Sequence, residues 1–268
     1  MTDDDVMASM PQPGICLIRL NRAARRNAMS LAAIHHFHQV LDPVLKDPTV
    51  RAMVLTGEGD GFCAGLDLKS VLGPEGQYAL TVPEAMGLQQ AFAGIVQRLR
   101  NSDAAVIAAV NGPAVGAGMA LALAADIRFA SPQASFHVGA VKIGITAGEC
   151  GMSYHLPRLI GAGRAFELML TGRPVSAQEA VEIGLVTALV PLEGLLERAF
   201  DCARQVLANS PYATAHTKRL MWKNLDATSL DAAIELENHA QVLGLATQDF
   251  QEAALAFIEK RKSRFTGR

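Results

Sequence analysis

From Ala104 to Ala125 the chain carries no charged residue, and this run restricts the fold more than any other segment. It is long enough to cross a bilayer. Against a membrane span stand the interruption at Asn111-Gly112-Pro113 and a content of Ala, Val and Gly with little Leu or Phe. Gly and Pro break regular backbone, so the run reads as a buried strand, a tight turn and a buried helix. The strand, Ala105 to Val110, is continuously apolar, which is the signature of a strand covered on both faces. The helix follows from Met119 to Ala125.

The rest of the chain alternates in the same way over its first two thirds. Gly14 to Leu20 and Val50 to Thr56 read as strands, and Ser30 can cap a helix through Val44 with apolar positions at Leu31, Ile34, Phe37, Val40, Leu41 and Leu45. Shorter runs at Ile127 to Ala130, Ser135 to Val138 and Val186 to Val190 read as further strands. Between Lys69 and Ala91 the pattern loosens, with Gly73-Pro74-Glu75-Gly76 and Pro83 as breakers; the stretch reads equally as a mobile flap over a ligand and as a plain surface insertion. Ser176-Ala177-Gln178-Glu179 is a capping-box pattern, with Gly184 as a stop. Leu192 to Leu207, Pro211 to Lys223, Ser229 to Leu245 and Asp249 to Lys262 read as helices. Strand and helix in alternation predict an α/β core.

Composition narrows the function classes. A formal net charge of −2 over 268 residues leaves no basic surplus for nucleic acid or an anionic membrane, so any anionic ligand is held by a few local cations. Cys16, Cys63, Cys150 and Cys202 are scattered without metal-ligand or disulfide-framework spacing, which predicts reduced thiols in the cytoplasm. His35, His36 and His38, on a predicted surface helix, show no metal spacing with a carboxylate, and no metal is expected. The opening Met1-Thr2-Asp3-Asp4-Asp5 is acidic where a signal peptide would be basic, so export is not expected.

Two segments carry the chemistry: Phe62-Cys63-Ala64-Gly65-Leu66-Asp67-Leu68 and Asn111-Gly112-Pro113-Ala114-Val115-Gly116-Ala117-Gly118. Each follows a strand-like run and is small enough for bare backbone N–H groups to face a ligand. Two fixed amides of this kind stabilise the negative charge that moves onto a thioester oxygen, and losing one typically costs about 10² to 10³ in rate. The donors read from the sequence are the N–H groups of Leu66 and Ala117, the latter at the positive end of the following helix. Neither segment contains G-x-G-x-x-G or the phosphate-binding G-x-x-x-x-G-K-[ST] pattern. Taken singly, either could hold its glycines for close packing alone.

In order and spacing, the two segments resemble those of the crotonase, or enoyl-CoA hydratase/isomerase, superfamily. The resemblance extends to Leu20-Asn21-Arg22, Arg26-Asn27-Ala28-Met29, Val54-Leu55-Thr56-Gly57, Ala125-Asp126-Ile127-Arg128-Phe129-Ala130, Leu156 to Gly161 and Ala256-Phe257-Ile258-Glu259-Lys260-Arg261. It implies a crotonase-type spiral of β-β-α repeats over residues 1–200 and a C-terminal helical trimerisation region over 201–268, assembled as a homotrimer or a dimer of trimers. It implies an acyl-CoA thioester as substrate, with no cofactor beyond its coenzyme A moiety and no nucleic-acid or membrane partner. Ala64, Asp67, Leu68 and Gly116 would line the thioester site. Arg26 would contact phosphate, with Arg25 and Lys69 as further candidates. On helical spacing alone Phe257 reads as core and Lys260 as solvated face; in relatives the matching aromatic and lysine reach the CoA of a neighbouring subunit.

The pattern breaks where hydratases of the family hold a water between two glutamates, one acting as base and one delivering a proton. Those positions are Ala120 and Ala140 here, and a methyl group transfers no proton. Glu149 remains nearby and resembles, allowing a one-residue gap, the acidic position of dienoyl-CoA isomerases. A lone carboxylate in an apolar pocket can move a proton between carbons. On its position alone, Glu149 reads equally as an acidic residue in a helix's first turn. His137, Tyr154 and His155 read as packed groups, and Asp67 and Asp126 as capping or turn-fixing. Three functions follow: an enoyl-CoA hydratase/isomerase-like enzyme with Glu149 as sole acid/base, a non-catalytic fatty acyl-CoA-binding protein of the same fold, or hydrolase or lyase chemistry on an unusual acyl group with the same oxyanion hole.

Overall fold

The computed structural model describes residues 4–268; the first three residues of the acidic opening lie outside them. Six strands form the main sheet in the order β1 (Val6–Gln12), β2 (Ile15–Leu20), β3 (Ala52–Gly57), β4 (Ala105–Val110), β6 (Ile127–Ala130) and β9 (Ala188–Leu189). The β1/β2 pair is antiparallel and the rest are parallel. A second sheet pairs β5 (Ala114–Val115) with β7 (Ser135–His137) and β7 with β8 (Val175–Ser176).

Side chains alternate across a strand, and here both faces are covered. Cys16, Ile18, Met53, Leu55, Val106, Ala108 and Val110 join the large cluster that includes Phe37 of α1 (Leu31–Lys46), Phe92 and Ile95 of α2 (Val82–Asn101) and all of α3 (Ala117–Ala124). Ile15, Leu17, Val54, Ile107, Ala109 and Phe129 face Leu195, Ala199, Phe200 and Ala203 of α7 (Leu192–Leu207). Every residue of α3 is buried, as its uncharged sequence requires. Among the described residues no helix is long and apolar enough to cross a membrane.

The predicted strands and the helices at 30–44, 192–207, 211–223 and 229–245 are present within a few residues of their expected ends. Strand β1 escapes sequence reading because only Val6 is buried, so the edge shows no alternation; Pro11 is tolerated there because an edge residue can spare its N–H. The irregular stretch expected through Ala91 ends earlier. Thr81 and Glu84 form a reciprocal capping box and Pro83 occupies the first turn of α2, so this proline starts a helix instead of breaking one. What remains of the loop carries a small hairpin, with Leu72 bridged to Tyr78.

Two further amphipathic helices, α4 (Met152–Ile160) and α5 (Ala162–Thr171), meet at Gly161. Ser176 caps α6 (Ala177–Glu182), but Glu179 completes no capping box, since its carboxylate pairs with Arg173. Helix α7 runs straight through the 200/201 division and seals the sheet, so the helical region beyond the sheet starts after it. That region comprises α8 (Pro211–Asn224), α9 (Leu230–Leu245) and α10 (Gln248–Ile258). Lys218 and Trp222 fasten α8 to the core through Asp126, whose Oδ1 accepts from Trp222 and whose Oδ2 is shared by Lys218 and the Val106 N–H.

Candidate active site

The two small-residue segments leave the ends of β3 and β4 and are stitched together by backbone. Cys63 and Ala114 form a parallel bridge, Phe62 and Cys63 N–H donate to Pro113 O (3.1 and 3.2 Å), and Val115 N–H donates to Cys63 O (2.9 Å). On its other flank the first segment is held by the residues after β2: Ala64 N–H to Arg26 O, Met29 N–H to Gly65 O and Asp67 N–H to Met29 O. Two buried asparagines fix the turn before it. Asn27 Nδ2 donates to Glu58 O and Gly61 O, while Asn111 Nδ2 donates to Gly59 O and Gly61 O and its Oδ1 accepts from Gly57 N–H.

Glycine is needed where these segments touch. A Cβ on Gly118 would lie 2.2 Å from Cys63 O, so only glycine lets α3 close on the first segment. At Gly65, φ is +81°, and a Cβ would sit 2.6 Å from Val115 O and 3.5 Å from Ala117 N. The contact brings the residue before Leu66 beside the first residue of α3. Among the described residues no backbone carbonyl accepts from Leu66 N–H or Ala117 N–H. For Ala117 this follows from its place in the first turn, whose amides have no partner within the helix. Two unspent donors therefore flank one glycine contact, at the positive end of a buried helix.

Glu149 is the carboxylate at this contact: its Oε1 lies 3.0 Å from where a Cβ on Gly116 would stand. Burial pushes its carboxyl up to about 7, with no neighbouring charge to offset it. Its own carbonyl accepts Met152 N–H at the start of α4, and Cys150 (φ +47°) and Gly151 (φ +82°) turn the chain sharply between them. Ala120 and Ala140 are buried. Ala120 lies on α3, whose first turn begins at Gly116, and Ala140 follows β7.

The remaining predicted residues fall into two groups. Ala64, Asp67, Leu68 and Gly116 lie in or against the stitched segments. Asp67 makes no side-chain cap and instead pairs with Arg22 at 3.3 Å. Arg26 is exposed in a left-handed turn (φ +48°), and Arg25 and Lys69 are exposed nearby. Phe257 and Lys260 are not brought to this site within one chain: α10 packs beside α9. Phe257 is 85% exposed, which corrects the core reading, and Lys260 lies beyond the helix end.

His155, His137 and His38 are packed or paired elsewhere. Burial and the Arg100 guanidinium push His155 down to about 4, and its Nε2 accepts from Arg100 (2.6 Å). His137 Nε2 meets Ser135 Oγ, and His38 turns inward to Ala91 O rather than lying on a surface. No group of metal-ligating side chains occurs among the described residues. A cavity of about 670 Å³ opens instead at the start of β3 and β4, but its arginines are engaged. Arg98 pairs with Asp42, Arg219 with Asp103, and Arg51 with the carbonyls ending α7. The clamping roles of Asn27 and Asn111 go beyond the sequence expectation; for Asn111, a polar residue directly after the buried strand β4 is a usable signal, whereas Asn27, seven residues past β2, offers none.

A family model described as enoyl-CoA hydratase/isomerase matches residues 11–268. A probable enoyl-CoA hydratase, EchA12, of Mycobacterium leprae is 43% identical over 96% of this chain and 88% of its own. A 1,2-epoxyphenylacetyl-CoA isomerase of Escherichia coli is 33% identical over 98% and 99%. Among solved structures, a probable enoyl-CoA hydratase/isomerase from Mycobacterium abscessus superposes with a TM-score of 0.90 at 40% identity, covering 98% of this chain and 99% of that one. A monofunctional enoyl CoA isomerase from M. smegmatis gives 0.73 at 38% identity, covering 86% and 98%. The α/β spiral, the stitched segments and this coverage agree, and the chain belongs to the enoyl-CoA hydratase/isomerase family as an enzyme acting on acyl-CoA.

Proposed function

We propose that this enzyme isomerises an unsaturated acyl-CoA by moving one proton between carbons, with Leu66 and Ala117 N–H holding the thioester oxygen and Glu149 carrying the proton. The observation that carries the reading is the placement of a single half-buried carboxylate, with a pKa near 7, against the glycine turn that opens α3. In a 3-enoyl thioester, Glu149 takes a proton from C2. The electron pair moves through the carbonyl to leave a dienolate whose oxygen rests between the two amides. The same carboxyl then returns the proton to C4, and the double bond ends at C2–C3. One proton leaves and one arrives, so no water is consumed and no second acid is needed. A carboxyl titrating near 7 both accepts and gives up a proton readily at neutral pH. Hydration by the two-carboxylate route finds only methyl groups at Ala120 and Ala140.

The reading takes the coenzyme A moiety of the substrate as the only non-protein group. It places the enzyme in the cytoplasm as a homotrimer or dimer of trimers, in which Phe257 and Lys260 contact the CoA of a neighbouring copy. The apolar surface of the helical region supports such assembly: α9 buries none of its residues, and Leu230, Val242, Phe257 and Ile258 are each more than 60% exposed. The second reading, a fatty acyl-CoA-binding protein without catalysis, draws on the loss of both hydratase carboxylates. Glu149→Gln separates the two. Loss of isomerisation by roughly 10² to 10⁴ with acyl-CoA binding retained supports the enzyme, and unchanged turnover overturns Glu149's role.

A further inference from the structure

Beyond α10 the chain folds back along the helix it has just left. Lys260 N–H bonds Phe257 O and Arg261 N–H bonds Ala256 O, a closing turn whose left-handed residue is usually glycine. Here that residue is Lys260, at φ +54°. Glu252 then accepts both ends of the Arg261 guanidinium (2.6 and 2.9 Å) and Arg264 N–H (2.8 Å). One turn earlier Asp249, only 2% exposed, accepts the N–H groups of Thr266 (2.7 Å) and Gly267 (3.1 Å), and its own N–H donates to Arg268 O. Gly267 closes the loop against Pro211, the first residue of α8, where a Cβ would stand 3.2 Å from the proline Cγ.

A buried carboxylate is costly unless its oxygens are satisfied, and the donors to Asp249 come from this returning segment. Removing the segment would strand it. The segment thus ties α10 to the start of α8, while leaving Phe257 and Ile258 facing outward. We infer that residues 261–268 form a strap, locked by Asp249 and Glu252, which sets the direction in which α10 presents Phe257 and Lys260 to the coenzyme A of a neighbouring copy. Asp249 and Glu252 are positioning residues in this scheme, and the inference rests on the proposed contact of Phe257 and Lys260 with CoA.

The test uses the full assembled protein and calorimetric binding of octanoyl-CoA against the octanoyl thioester of N-acetylcysteamine, which lacks the nucleotide end. Asp249→Asn and Glu252→Gln are expected to weaken octanoyl-CoA about tenfold, to leave the short thioester unchanged and to keep the assembly mass by light scattering. Should Asp249→Asn fail to fold, Glu252→Gln decides, because its carboxylate is partly exposed. Lys260→Ala provides the control. If Lys260→Ala weakens octanoyl-CoA and both strap variants bind normally, the strap is overturned alone. If Lys260→Ala also binds normally, the CoA contact fails and takes the strap with it. Equal weakening of both thioesters overturns the strap, since that marks general damage.

Discussion

The carboxylate of Glu149 stops 3.0 Å from the point where a side chain on Gly116 would begin. Gly116 sits at φ +54°, a conformation that suits glycine, immediately before the proposed oxyanion donor Ala117. The proposed acid/base group and the proposed oxyanion turn therefore share one contact, which a single methyl group disturbs. Gly116→Ala should lower kcat for isomerisation by roughly 10- to 100-fold, and holding a side chain at φ +54°, ψ −125° should cost about 1–3 kcal/mol of stability. Steady-state kinetics and thermal unfolding check both, and a variant with wild-type kcat removes the coupling between the two groups.

Ala117 is the first residue of α3, where proline is tolerated because that N–H has no partner within the helix. Ala117→Pro deletes the donor while keeping the helix. The expected outcome is a fall of about 10² to 10³ in kcat with little change in circular dichroism or melting temperature. Retained activity in a folded variant would exclude this amide as an oxyanion donor.

Burial holds the Glu149 carboxyl up near 7, so its effects on rate and on stability have opposite signs with pH. As a base it must be ionised, and kcat/KM for the 3-enoyl thioester should rise through about pH 7 and then level off. For stability, the folded state holds this proton more tightly than the unfolded state, so the contribution of Glu149 falls as pH rises from the ordinary carboxyl range through about 7. Glu149→Gln should therefore be more stable than wild type at pH 8, by roughly 1–3 kcal/mol, and lose that advantage near pH 4. Denaturant titrations at the two pH values measure it, and a pH-independent difference would contradict the raised pKa.

Asn111 satisfies Gly57 N–H, Gly59 O and Gly61 O at once, from a position directly after β4. Asn111→Ala takes this side-chain partner from Gly57 N–H and Gly59 O, while Gly61 O keeps Asn27, and should destabilise the protein by about 2–4 kcal/mol. Because the same turn feeds the first stitched segment, kcat should fall as well. Chemical denaturation read beside activity distinguishes this from a variant that merely unfolds more readily.

Sequence alone determined the elements whose signals are local. The uncharged run to Ala125 required a strand covered on both faces and a helix buried all round, and both occur, in β4 and α3. The small residues around Gly65 and Gly116 marked where backbone approaches backbone, because no side chain fits there. That Ala120 and Ala140 carry methyl groups, which transfer no proton, needed no coordinates at all. Tertiary structure decided what depends on residues distant in the chain. Edge strand β1 has no amphipathic pattern of its own and exists through its pairing with β2. Glu149 was readable as an ordinary helix-start acid until Gly116, 33 residues earlier by its number, came within reach of its carboxylate. Whether such a carboxyl is a surface acid or a group titrating near 7 is set by what covers it, and desolvation is a property of the folded surroundings that no single position encodes.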